Sequence, residues 1–180
     1  MAGYDGDECT LTDGTAGQCN LGRCYPKGCT SNDDCKDQPG TYCASTNSSY
    51  LERFQSGETG SCAPIDFVRY EGNDGNAYYI SNGSISWWDA EFACAAMNRE
   101  IVEVYDLVTE SDGSKWQGGT GPHIRTALAN ELNSYLGHYY IWTKNLTNDN
   151  KYAFFVGLDD GYVDYYYRRN YANGNLAVCR

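Results

Sequence analysis

Seven of the nine cysteines fall within the first 62 of 180 residues: Cys9, Cys19, Cys24, Cys29, Cys35, Cys43 and Cys62. The stretch around them is rich in Gly, Asp, Asn, Ser and Thr and nearly free of aliphatic residues. A segment of that size and composition cannot bury enough apolar surface to hold itself together. Nature commonly staples such segments with disulfides in an oxidising compartment. Structural zinc is the competing use of clustered cysteines, and it takes C-x2-4-C knuckles, often with histidines. The segment has no histidine and no C-x2-C pair, so disulfides are the expectation. An odd count leaves one cysteine free or paired elsewhere, and pairing six of seven allows about 105 arrangements. Connectivity stays open. Residues 1–64 therefore read as loops and short turns tied by bridges, with the role of a stalk or spacer, or alternatively of a small ligand-binding module.

Disulfides place the chain outside the cell or on its surface. No apolar run of membrane-spanning length is present, and no signal-peptide core follows Met1. The expectation is that a native leader or anchor preceded the sequence and has been removed, and only through it would a membrane be contacted. The formal charge is −11, from 13 Lys and Arg against 24 Asp and Glu. Nucleic acid is excluded as a partner, because phosphate contacts need a basic face and no Lys/Arg cluster exists.

Composition changes across residue 64, where aromatic and aliphatic residues begin to recur with readable periods. Ala77-Tyr78-Tyr79-Ile80 predicts a short strand. Ser86 predicts a helix cap, with Asp89 at the third position. Trp87, Ala90, Cys94 and Met97 share one helical face. Ile124, Leu128, Leu132 and Leu136 predict a second helix after Gly121-Pro122, ended by Gly137. Between them Glu103-Val104-Tyr105 reads as extended, and 111–121 as a Gly-rich loop. Later strands are expected at 139–142, 152–156, 162–168 and 175–180, with a polar loop over 144–151 and turns at Asp159-Asp160-Gly161 and Asn173-Gly174. Residues 65–180 thus form an α+β domain of ordinary size.

The run Ser86-Trp87-Trp88-Asp89-Ala90-Glu91-Phe92-Ala93-Cys94, a second helix, an aromatic-Trp strand and the closing Ala177-Val178-Cys179-Arg180 resemble a C-type lectin-like domain. The likeness is to the bacterial form on pilin-like or surface-anchored proteins, where a Cys-rich segment often precedes the domain. It implies that Cys94 pairs with Cys179, closing roughly 85 residues, for which the chain-entropy account gives about 4–5 kcal/mol. Sugar-binding members coordinate calcium through Glu-Pro-Asn or Gln-Pro-Asp and Trp-Asn-Asp, and none of these tripeptides occurs. Asp159, Asp160 and Asp164 could offer oxygen ligands, but acidic residues on a turn are more often solvated, so no cofactor is expected.

Residues 139–173 hold most of the tyrosines, interleaved with Asn, Asp and Arg. Successive strand side chains face opposite sides of a sheet, so alternation cannot bury them all. Exposed Tyr with Asn, Asp and Ser is the composition of antibody paratopes, although tyrosine also simply fills β surfaces well. Gly161-x-Val163-x-x-x-x-Arg168, followed by the closing strand, further resembles the variable proteins of diversity-generating retroelements. These randomise adenines in the 3′ coding region and turn AAY-type codons into Asn, Tyr, Asp, Ser or Arg. The resemblance implies a variable ligand-binding set of Asp159, Asp160, Tyr162, Asp164, Tyr165, Tyr166, Arg169, Asn170, Tyr171 and Asn173, with Asn148, Asp149 and Asn150 as further members.

The expected function is a hypervariable receptor or adhesin that binds protein or cell-surface ligands, glycans included. A fixed-specificity lectin and a minor pilus or surface-assembly subunit are the alternatives. Catalysis is not expected. His123 and His138 are the only histidines, they stand in no catalytic motif, and both read as surface or helix-capping residues. Asn47-Ser48-Ser49, Asn82-Gly83-Ser84 and Asn145-Leu146-Thr147 match the glycosylation acceptor pattern, which matters only in a eukaryotic host.

Overall fold

The structure, a computed structural model, describes residues 8–10, 12, 14, 16–20, 23–26, 28–45, 53–54, 59–113, 121–168 and 175–180. The Cys-rich segment carries more regular structure than loops and turns. Strands β1 (Glu8–Thr10), β2 (Ala16–Asn20) and β3 (Arg23–Pro26) form an antiparallel sheet. A 3-10 turn over Asn32–Cys35 leads to β4 (Thr41–Ala44), which pairs antiparallel with β5 (Ser61–Pro64). Disulfides Cys29–Cys43 and Cys35–Cys62 lock the turn to this hairpin. The Asp34 carboxylate accepts the Thr30 and Ser31 N–H groups at 2.8 and 3.1 Å, and these bonds hold its pKa below the ordinary carboxylate value.

The rest of the chain is α+β. It runs β6 (Phe67–Glu71), β7 (Ala77–Ser81), α1 (Trp87–Ala96), α2 (Val104–Leu107), β8 (Val108–Thr109), β9 (Ile124–Arg125) and α3 (Ala127–Leu136). Then come β10 (Tyr140–Leu146), β11 (Tyr152–Gly157), β12 (Val163–Tyr167) and β13 (Asn175–Cys179). Six strands make one sheet in the order β12-β11-β10-β13-β7-β6, antiparallel except where β10 lies parallel to β13. This leaves β12 at one edge.

Helix α1 begins where the Ser86 hydroxyl accepts the Asp89 N–H at 3.1 Å. It ends in a Schellman motif: Asn98, at φ 56°, bonds back to Ala95 and Arg99 bonds back to Cys94. Trp87, Ala90 and Cys94 are buried on its inner face. Two indoles stitch helix to sheet. Trp87 Nε1 donates to the Thr143 carbonyl at 2.7 Å, and Trp142 Nε1 donates to the Ile85 carbonyl at 2.8 Å. Cys94 is bonded to Cys179 of the central strand β13.

Three local expectations are corrected, and one strand is added. Glu103 is extended, but Val104–Leu107 is a helical turn, because the Asp106 carboxylate caps the Glu103 N–H at 2.7 Å. Ile124 is not on the second helix; it pairs with Thr109 in β9 and is half exposed, while Thr126 caps α3. Strand β10 continues through Lys144, Asn145 and Leu146, which read as loop. Lys144 N–H bonds to Val102 O, and the Asn145 amide accepts the Val104 N–H. Strand β6 lies outside the expected strands, although Val68-Arg69-Tyr70-Glu71 carries an apolar–polar alternation. The expected turn at Asn173-Gly174 and most of the loop over 111–121 lie outside the described residues.

The described residues of 28–64 dock against α1. Asn32 Nδ2 donates to the Phe92 carbonyl at 2.8 Å, and the Ser45 N–H donates to Asp89 Oδ1 at 2.9 Å. Arg53 enters this interface almost wholly buried, 3.4 Å from the equally buried Asp89 carboxylate. Its guanidinium also donates to the Cys43 carbonyl and lies 3.2 Å from the centroid of the Phe92 ring. Burial pushes the Arg53 pKa down, and Asp89 opposes the shift. Removing one member of such a pair leaves a charge in a dry site, at a cost of roughly 3–5 kcal/mol. Asp89→Ala is therefore expected to lose about that much stability in urea denaturation, whereas Asp33→Ala, an exposed carboxylate, changes it by less than about 0.5 kcal/mol.

Candidate ligand-binding face

The face is built on the β11–β12 hairpin. Cross-strand partners share a side of the sheet, so the register sorts the side chains. Val156 and Val163, Phe154 and Tyr165, and Tyr152 and Tyr167 lie on one side; Phe155 with Asp164 and Ala153 with Tyr166 lie on the other. Val163 is fully buried, while Tyr165 and Tyr166 are 47% and 37% exposed. Tyr165 caps an aromatic row, with its ring 5.3 Å from Tyr152 and 5.8 Å from Phe154. The Tyr167 hydroxyl, 3.5 Å from that of Tyr152, pushes the Tyr152 phenol up to about 12.

Between the strands the chain turns over 158–162. Gly157 N–H bonds to Tyr162 O, Gly161 N–H to Gly157 O, and the Asp160 carboxylate accepts the Tyr162 N–H at 2.8 Å. Gly161 sits at φ 72°, where a side chain is strained, and a Cβ there would lie 2.4 Å from the His123 carbonyl oxygen. At the far end Arg168 is buried, its guanidinium 4.0 Å from the Trp88 ring and 5.2 Å from Trp87. The edge strand is thus pinned at both ends and through Val163.

The candidate residues do not form one patch. Asp159 and Asp160 are exposed at the turn with half-buried Tyr162 beside them; half-buried Asp164 and exposed Tyr166 share one side of the strand, and Tyr165 takes the other. Asn148, Asp149 and Asn150 are exposed at the opposite end, in the β10–β11 connection that adjoins the Tyr152–Tyr167 pair. Tyr167 lies five residue steps beyond Tyr162, about 17 Å of strand. In that connection the Asp149 carboxylate accepts the Thr147 hydroxyl at 2.6 Å and the Lys151 N–H at 3.1 Å, which lowers its pKa. Asn150 adopts φ 56° there, a conformation Asn tolerates better than most residues. Arg169, Asn170, Tyr171 and Asn173 lie outside the described residues.

Three exposed residues outside the expected ligand-binding set join the turn end. His138 Nδ1 is 3.3 Å from the Asp159 carboxylate, Tyr139 O accepts the Leu158 N–H, and exposed Tyr140 meets Phe155 edge-on at 5.3 Å. Strand alternation does not mark them, since Tyr139 and Tyr140 are both exposed while Ile141 and Trp142 are both buried. His123 is not a surface or capping residue. It precedes β9 with its ring buried, Nδ1 3.4 Å from Glu110, and Nε2 lacks a hydrogen-bond partner among the described residues.

Asp159, Asp160 and Asp164 are each held by different local partners: His138, the Tyr162 N–H and the Tyr165 N–H. Among the described residues the group whose ligand atoms converge within 4.8 Å is Cys29, Cys35 and Cys62, all disulfide-bonded. No helix among the described residues is long and apolar enough to cross a membrane. Compared with protein-family models, curated proteins and solved structures, the chain matches none.

The pinned and free positions of the hairpin should separate in stability. Gly161→Ala and Val163→Ala are each expected to lower unfolding free energy by about 1–3 kcal/mol. Tyr165→Asn and Tyr166→Asn should lower it by less than about 1 kcal/mol. Chemical denaturation of the four variants checks this ordering.

Proposed function

We propose that this is an extracellular ligand-binding protein of the receptor or adhesin type, with a C-type lectin-like domain whose C-terminal face is diversified by a retroelement. The single observation that carries the reading is the spacing of buried and exposed residues along β12. Gly161, Val163 and Arg168, the constant positions of the resemblance, are the buried and geometrically constrained ones. Tyr162, Asp164, Tyr165 and Tyr166 between them are half-buried or exposed. A surface that must vary without unfolding needs its variation confined to side chains that carry little of the stability.

Further support comes from composition and bonding. Large, rigid tyrosine rings beside small polar residues suit recognition of protein or cell-surface ligands at low entropic cost. The link between Cys94 and Cys179 is the one this domain class requires, and it joins α1 to the strand next to β10. Disulfides such as Cys29–Cys43, Cys35–Cys62 and Cys94–Cys179 fit a protein that works outside the cell.

Sequencing the 3′ end of the gene and its flanks across many cells of the source population tests the reading. The expected result is substitution concentrated at the codons for 159–160, 162, 164–166, 169–171 and 173, beside a near-identical template repeat. Gly161, Val163, Arg168 and 175–180 should stay constant. An invariant stretch with no repeat overturns the diversified-receptor reading.

A further inference from the structure

The six-stranded sheet has a second edge, at β6, on the side away from β12. Among the described residues no further strand pairs with it. The Gly72 N–H bonds to Asn76 O at 2.8 Å and the Asn82 N–H to Asp66 O at 3.0 Å, continuing the β6–β7 register at both ends. Residues 66 and 72 therefore turn their backbone groups toward β7, and the alternation of an antiparallel ladder turns 68 and 70 the same way. The N–H and C=O groups of Phe67, Arg69 and Glu71 point outward along the free edge.

Natural edges are guarded by proline, by a bulge or by charge. Strand β6 has no proline, and its register with β7 is unbroken. Its charges are a balanced pair: Arg69 and Glu71 stand two residues apart on one side of the sheet, both more than half exposed and bonded to each other. Charges of one sign repel a second copy of the same strand, whereas this pair complements it. Two β6 strands laid antiparallel about a two-fold axis at Tyr70 set Arg69 of each opposite Glu71 of the other. Moving the axis one residue either way sets Arg69 or Glu71 against itself, and like charges directly opposite are destabilising.

The other side of the strand fits the same register. Val68, 43% exposed, comes opposite Gly72 of the second copy, which has no side chain to obstruct it. Tyr70 meets its own counterpart at the axis. Its ring is already fixed: the hydroxyl donates to the Glu131 carboxylate at 2.8 Å, and the exposed Tyr135 ring lies 4.7 Å away. The Asn73 N–H is taken by the same Glu131 carboxylate at 2.9 Å, so the ladder ends beyond Glu71. We infer that β6 is a self-association edge, on which a second copy of this chain pairs antiparallel about Tyr70. The pairing joins two six-stranded sheets into one of twelve. So short a ladder belongs with weak, transient interfaces, below about 1,200 Å² of buried surface. The two β12 edges then lie at opposite ends, roughly 50 Å apart at the usual strand spacing. On the receptor reading given above, the dimer presents two diversified faces at once and gains avidity. The association itself rests on β6 alone and does not need that reading.

The test is analytical ultracentrifugation of the full chain between about 10 μM and about 0.5 mM, the range in which a weak interface becomes populated. The expected result is a weight-average mass that climbs from 20.0 kDa toward twice that value. Arg69→Glu alone and Glu71→Arg alone should each weaken association by about tenfold or more, because each sets like charges opposite one another at two places. An equimolar mixture of the two variants should recover it to within about twofold of the parent, since every contact then pairs opposite charges. Tyr165→Ala and Tyr166→Ala, at the other edge, should leave it within about twofold. Circular dichroism of each variant confirms folding, and recovery in the mixture cannot come from unfolded chains. The proposal is overturned if the mass stays that of a monomer, if either single charge reversal leaves association unchanged, if the mixture fails to recover it, or if the β12 variants abolish it.

Discussion

A buried carboxylate at the start of α1 decides how the two parts of this protein sit on one another. Asp89 lies in the first turn of the helix, and burial obliges it to find donors. It finds them in the Cys-rich segment, in the Ser45 N–H and the Arg53 guanidinium. Arg53 in turn is accommodated because the Cys43 carbonyl and the Phe92 ring accept its charge. An ion pair of this kind contributes little more than well-packed apolar residues of the same volume would. What it supplies here is position: the hairpin of β4 and β5 meets α1 where those partners coincide.

Helix α1 passes that constraint on to the sheet. Trp87 and Trp142 exchange indole bonds across the helix–sheet interface, and Cys94 is bonded to Cys179 on β13. Trp88, next to Trp87, carries the Arg168 guanidinium and donates its N–H to the Arg168 carbonyl at 3.3 Å. The edge strand thus ends on the same short helix that anchors the disulfide-rich segment. Ten residues hold three otherwise separate parts of the chain in register.

Much of this was readable from residue spacing, and the gaps have physical causes. Ser86, the Trp87-Ala90-Cys94 face and the strand after Ala77 are local signals, set by neighbours within a turn or by alternation. The short turn at 104–107 is one helical turn, too brief for periodicity to register. Ile124 obeyed a helical spacing by coincidence, and its place in β9 is set by pairing with Thr109, fifteen residues earlier. Lys144 and Asn145 looked like loop because their polarity is satisfied by distant groups on 100–104. The docking by Arg53 left no sequence signal, since its partner lies 36 residues away. For the hairpin face, composition revealed that tyrosines must be exposed, but only the register separates Tyr165 from Tyr166.

An edge strand lined with exposed aromatics is ordinarily a hazard, because its free backbone groups invite a second strand. Here the N–H of Tyr165 is occupied by the Asp164 carboxylate at 2.8 Å, and the carbonyl of Arg168 by the Trp88 N–H. The Tyr165 bond interrupts the row that an incoming strand would pair with, and the Arg168 bond ends the strand on α1. The Asp164 bond is local, made by a side chain to the next residue, so Asn or Ser at this position could supply a similar acceptor. In the proposed ligand-binding role, recognition at this edge would rest on the side chains that stand above and below the strand rather than on backbone pairing, which reads little sequence. A hairpin fixed at Gly161, Val163 and Arg168 and blunted along its edge can change those side chains while the sheet behind it stays the same.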